Sequence, residues 1–139
     1  MSGRKHNNEN MRPEIILASS SSVRGEVLNR LRVTFAVHPG GFEERMTLKD
    51  GEVFEDLAKR LALGKARDIA NTVENAIVIG ADTFAVFNGE IMGKPETPQR
   101  AIEYLKRLSG NTHEFFTGMA VIDTKSQRVM VDCIKATVH

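Results

Sequence analysis

Short apolar runs alternate with stretches of helical spacing along this chain, and that alternation is the strongest constraint on its fold. EIILA (14–18) is brief and β-branched, as a buried strand is. From Ser21 the pattern turns helical: Val23, Val27, Leu28 and Leu31 share one face, with Ser20 or Ser21 as N-cap. VTFAV (33–37) reads as a second strand, ended by HPGG. An amphipathic helix is expected over about 52–71, with Val53, Phe54, Leu57, Leu61, Ala62, Ala66 and Ile69 as its stripe. NAIVIGADTFAVF then holds two strand-like runs separated by Gly80, Ala81, Asp82 and Thr83. Its second run is one arm of a hairpin closed by NGE, with IMGKP returning. Thr97 and Pro98 open another helix through Ala101, Ile102, Leu105 and Leu108, stopping at Gly110. Strands near 113–122 and 128–134 flank the turn DTKSQ. The order β-α-β-α-β-β-α-β-β predicts an α/β fold, a mixed twisted sheet with flanking helices.

A length of 139 residues suits one domain with a real core. The polar stretch 1–13 is expected to be a disordered tail, leaving the domain at 14–139. QRVMVDCIKATVH is strand-like to its last residue, and an uncovered strand is a liability, so the fold is expected to be incomplete at its C-terminus. A formal net charge of +1 argues against a coat for nucleic acid or anionic membrane. One cysteine, Cys133, excludes an internal disulfide and favours a reducing compartment, read as the cytoplasm. No apolar run reaches the ~18–20 residues that span a bilayer.

Several residues could carry chemistry. ASSSSVRG joins a strand to a helix, where free backbone N–H groups, serine hydroxyls and Arg24 could bind phosphate; a plain cap with a surface arginine is the alternative. Asp82 follows AIVI, where α/β proteins tend to place ligand groups. It could bind a hard cation or activate water, or be a turn aspartate bonded to its own backbone. GEIMGKP is not a Walker A loop: Gly89 and Gly93 are too close and Pro95 stands where a Ser or Thr should be. Lys94 is either functional, between stiffening neighbours, or solvated. Glu43 and Glu44 could hold a metal or be solvated, and Lys65, beside Gly64 and Ala66, could meet a phosphate or lie on the surface. His113 reads as structural, and Cys133 has no zinc-ligand partner.

Taken in order, LASSSSVRGEVL, FEE, LALGKA, IGADTFAVFNGEIMGKP and AIEYLKRLSGNTHEFFTG resemble the Maf family of nucleoside triphosphate pyrophosphatases, from about Ile15 to the last residue. The resemblance implies an α/β fold with a deep cleft, like that of inosine triphosphate pyrophosphatases. It implies hydrolysis between the α- and β-phosphates, to a monophosphate and pyrophosphate, with Mg²⁺ or Mn²⁺. The family's LASxSPRRxxLL motif places its serines on Ser19 and Ser21 and its second arginine on Arg24. Its catalytic-loop glutamate falls on Glu44, its helix lysine on Lys65, its aspartate on Asp82 and its KP lysine on Lys94. The serines, Arg24 and Lys65 would bind the triphosphate, with Lys94 adding charge in the catalytic group. Glu44 and Asp82 would hold the metal, Asp82 also serving as general base.

Ser22 and Val23 replace the family's proline and first arginine. That arginine position helps separate a dTTP/UTP subgroup from a 7-methyl-GTP subgroup, and Val23 matches neither. Thr83 resembles the dTTP/UTP group, so dTTP or UTP is the expected substrate. A 7-methyl-GTP-type enzyme and a catalytically incompetent nucleotide-binding fragment are the alternatives. No nucleic acid or membrane partner is expected, and a homodimer is possible. Family members continue past ATVH into another wall of the cleft.

Overall fold

β1 (Glu14–Ala18) lies between β2 (Ala36–Val37) and β3 (Ala76–Phe87), parallel to both. β4 (Glu90–Met92) folds back on β3 through Asn88 and Gly89, both at positive φ as a two-residue hairpin demands. β5 (His113–Asp123) and β6 (Arg128–Val138) continue the sheet antiparallel, giving the order β2-β1-β3-β5-β6 with β4 also on β3. The computed structural model describes residues 12–18, 34–38, 47–92 and 97–139. The helix expected from Ser21 lies outside them. The mixed α/β sheet is as expected from the alternation of patterns.

α1 (Phe54–Ala70) covers one face of the sheet with two apolar clusters. Leu57, Ala58 and Leu61 meet Phe84, Val86 and Phe116 at one end. Ala62, Ala66 and Ile69 meet Ile16, Val78, Ala120 and Ile122 at the other. Between the clusters the helix nearly touches the sheet. A Cβ on Gly80 would lie 2.4 Å from the Ala62 carbonyl oxygen, and one on Gly118 2.0 Å from that of Ala58. Glycine in a strand interior commonly marks such a close backbone approach. Before the helix, Arg60 forks onto Glu52 (2.9 and 3.0 Å) and donates to the Thr47 carbonyl (3.1 Å), tying the entry turn to α1.

Three expectations need correction. Residues 80–83 do not separate two strands: β3 runs unbroken through them, paired with β5 from Ile77↔Asp123 to Val86↔Glu114. Small and polar residues stand there because the helix backbone lies against the strand, not because the chain turns. β6 extends to Val138 rather than stopping at 134, since β5 offers a partner as far as His113. α2 (Pro98–Leu108) begins at the expected Thr97 cap, whose hydroxyl accepts from the Arg100 N–H at 3.1 Å. It buries no residue fully, and Ile102 and Leu105 face solvent. Ala101, Tyr104 and Leu108 form its half-buried side. Arg107 links it to the β3–β4 hairpin, 3.7 Å from Glu90 and 5.7 Å above the Phe87 ring.

Candidate active site

Strand alternation sends Asp82 to the α1 face, as it does Gly80 and Phe84. It falls between the two apolar clusters, beside the close approach at Gly80 and opposite Gly118. Asp82 is the buried charged residue among those described, its side chain 7% exposed. A carboxylate desolvated to that degree needs a partner. Lys65, reaching down from α1, donates from Nζ to Oδ1 at 2.9 Å while staying 31% exposed itself. Helical spacing from Leu61 to Ile69 puts Lys65 at the edge of the buried stripe, so its stem packs while its ammonium reaches the strand.

The sheet is notched at this point. On the β3 edge away from β5, β1 pairs only as far as Ala18↔Gly80, and β4 pairs only from Ala85↔Met92. Residues 81–84 have no strand partner on that edge among the described residues. β1 runs toward the notch from one side and β4 from the other. Beside β1, β2 ends at Val37, opposite Leu17. The crevice at the carboxyl ends of parallel strands is where open α/β sheets bind ligands.

Six other expected site residues follow β1, β2 and β4 in the sequence. Ser19, Ser21, Val23 and Arg24 follow β1, Glu44 follows β2 and Lys94 follows β4. These six lie outside the described residues, so Lys65 and Asp82 are the expected site residues that the structure brings together. Thr83 projects from the opposite face of β3, its hydroxyl 3.0 Å from that of Thr117. Neighbours in GADT therefore serve two different surfaces. Nothing in the sequence marks Thr117, while glycine within strand-like runs is the signal for Gly80 and Gly118.

Among the described residues no group of three His, Cys, Asp or Glu side chains could hold a metal. Among the described residues, Asp82 supplies the buried carboxylate at the notch. That is compatible with Mg²⁺, which is commonly held by one or two carboxylates together with substrate phosphates. Cys133 packs under α1, where burial first, then the charges of Glu55 and Asp132, push its thiol up and keep it protonated. His113 stacks edge-on to Phe115, with ring centroids 5.1 Å apart, in keeping with a structural role. A cavity of about 850 Å³ between Arg67, Asn71, Asn75, Lys125 and Gln127 opens at the amino end of β3, away from Asp82. No described helix is long and apolar enough to cross a membrane.

The fold has solved counterparts. The Ham1 protein of Staphylococcus aureus superposes with a TM-score of 0.58 at 17% identity, over 89% of this chain and 70% of that one. A nucleoside-triphosphatase, dITP/XTP pyrophosphatase, of Mycobacterium abscessus gives 0.54 at 16% identity, over 89% and 71%. The architecture is thus that of the Ham1-type α/β proteins.

Sequence narrows this further. Residues 14–139 match the Maf-like protein family, and the chain belongs to it. A 7-methyl-GTP pyrophosphatase of Pseudomonas aeruginosa is 42% identical over 127 residues, 91% of this chain and 65% of the relative. A dTTP/UTP pyrophosphatase of Clostridium novyi is 39% identical over 122 residues, 87% of this chain and 63% of the relative. The chain therefore spans just under two thirds of the length of these relatives.

Proposed function

We propose that this chain carries the catalytic core of a nucleoside triphosphate pyrophosphatase, cleaving between the α- and β-phosphates to release a monophosphate and pyrophosphate. The observation that carries the reading is the buried Asp82 carboxylate, paired with Lys65 at 2.9 Å and set in the notch of the sheet. The names of the relatives support it, since both kinds are nucleotide pyrophosphatases.

In this reading Ser19, Ser21 and Arg24 bind the triphosphate where the chain leaves β1. Lys65 and Lys94 offset its negative charge. Asp82 takes a proton from the water that attacks the α-phosphorus, while the bond to the bridging oxygen breaks and pyrophosphate departs. Glu44 and Asp82 would hold Mg²⁺ or Mn²⁺, which when bound neutralises charge on the leaving group. Thr83 favours dTTP or UTP as substrate; the relatives bear both substrate names at 42% and 39% identity and do not decide between them. A cytoplasmic homodimer completes the reading.

Incubation with dTTP, UTP, CTP and 7-methyl-GTP, with Mg²⁺ or Mn²⁺, should release pyrophosphate. Orthophosphate as the only product would contradict the cleavage site. Nucleotide binding without turnover is a second reading, favoured by the uncovered Leu105, Met130 and Ile134, 68%, 73% and 59% exposed. A non-hydrolysable analogue that binds while no triphosphate is cleaved would select it.

A further inference from the structure

We infer that Lys65 is an exchangeable counter-ion: it neutralises Asp82 when no nucleotide is bound and passes to the phosphates as they arrive. The divalent cation is then admitted together with its anion and not alone. This rests on the pyrophosphatase reading above and adds an order of binding to it.

Three observations carry the inference. Asp82 is held on a strand interior, paired to Gly118 and two residues from Gly80, both of which press against the α1 backbone, so the strand that carries it is fixed. Lys65 can move. Its four-carbon stem is flexible and its side chain remains 31% exposed, so the ammonium reaches Oδ1 from the solvent side. Lys65 also supplies the only hydrogen bond or ion pair to Asp82 among the described residues.

A divalent ion approaching Asp82 therefore meets the Lys65 ammonium in its way. Two cations on one carboxylate repel strongly where water is scarce. If Lys65 simply swung out, the charge gained at the site would remain uncompensated. Phosphate oxygens resolve both difficulties, because they give Lys65 a new partner as it leaves Oδ1.

The test uses Mn²⁺ as a probe, alone and as its complex with inorganic triphosphate, followed by water-proton relaxation. The wild-type chain should bind the complex about tenfold or more tightly than the bare ion. Lys65→Met should bind the bare ion about tenfold more tightly than wild type, so that the preference for the complex narrows. Lys65→Arg, which keeps the charge, should retain the wild-type order. The inference is overturned if Lys65→Met binds bare Mn²⁺ no more tightly than wild type. Should Lys65→Met not fold, the ammonium resonance of Lys65 in ¹⁵N-lysine-labelled wild type decides. It should move with Mg²⁺ plus triphosphate and stay put with Mg²⁺ alone, and the reverse pattern overturns the inference. Asp82→Asn separates this from the reading beneath it: if that variant binds the complex as wild type does, the site is not at Asp82 and the pyrophosphatase reading itself is lost.

Discussion

Gly118 and Ala58 meet so closely that a methyl group on the glycine would stand 2.0 Å from the alanine's carbonyl oxygen. α1 and β5 touch there, backbone to strand, directly across from Asp82. Gly118→Ala should lift the helix and destabilise the domain by about 1–3 kcal/mol, the usual cost of overpacking. Urea denaturation followed by circular dichroism would measure it. An unchanged midpoint would show that the helix tolerates the displacement.

Much of this arrangement could be read from residue order, and the reasons for the exceptions are physical. Val53 to Ile69 carried enough helical periodicity to bound α1 within a residue or two. Asn88 and Gly89 identified the hairpin because few residues accept positive φ. The sequence sets Asp82 just past a strand at a break, GADT, whereas it lies inside β3, because the reason for its small neighbours lies on another element. The approach of Ala58, Ala62 and Ala66 explains Gly80 and Gly118; a glycine inside a strand signals such an approach but not which element makes it. Lys65 was marked by its small neighbours, but its partner, 17 residues away, came from the structure.

Asp82→Asn should leave the fold intact, since the amide is nearly the same shape and still accepts from Lys65. Pyrophosphate release should fall by about 100-fold or more if the carboxylate is the base. A coupled pyrophosphate assay alongside a melting curve measures both effects. Full activity would remove Asp82 from the chemistry.

Phe116 is 2% exposed and lies 5.5 Å from the Phe54 ring and 5.6 Å from that of Phe84, centroid to centroid. Phe116→Ala should cost about 3–5 kcal/mol through the cavity it leaves. Leu105→Ala, on the exposed side of α2, should change stability by no more than about 0.5 kcal/mol. Paired denaturation curves compare them, and equal losses would mean that the aromatic cluster is not the core.

Asp123 gives an acid-side prediction. Desolvation pushes its carboxyl up, but hydrogen bonds from Ser126 and the Lys125 N–H, with the charge of Arg128, outweigh it and hold the group below the ordinary carboxylate value. A depressed value in the folded state means the unfolded chain binds more protons in that window. The contribution is complete above the ordinary value and is lost as pH falls through the folded one. Wild type should therefore lose its advantage over Asp123→Asn as the melt is moved from neutral pH to below about 4. A difference between the two that stays constant with pH would refute the assignment.

The notch at residues 81–84 of β3 lies, among the described residues, on the same strand and under the same helix that form the core. Asp82 and its lysine are built from the strand and helix that also form the core, so altering their placement would unsettle the whole domain. A substitution that shifts β3 or α1 would disturb the two apolar clusters before it reached the carboxylate. Relatives that bear two different substrate names at 42% and 39% identity are compatible with one such rigid framework.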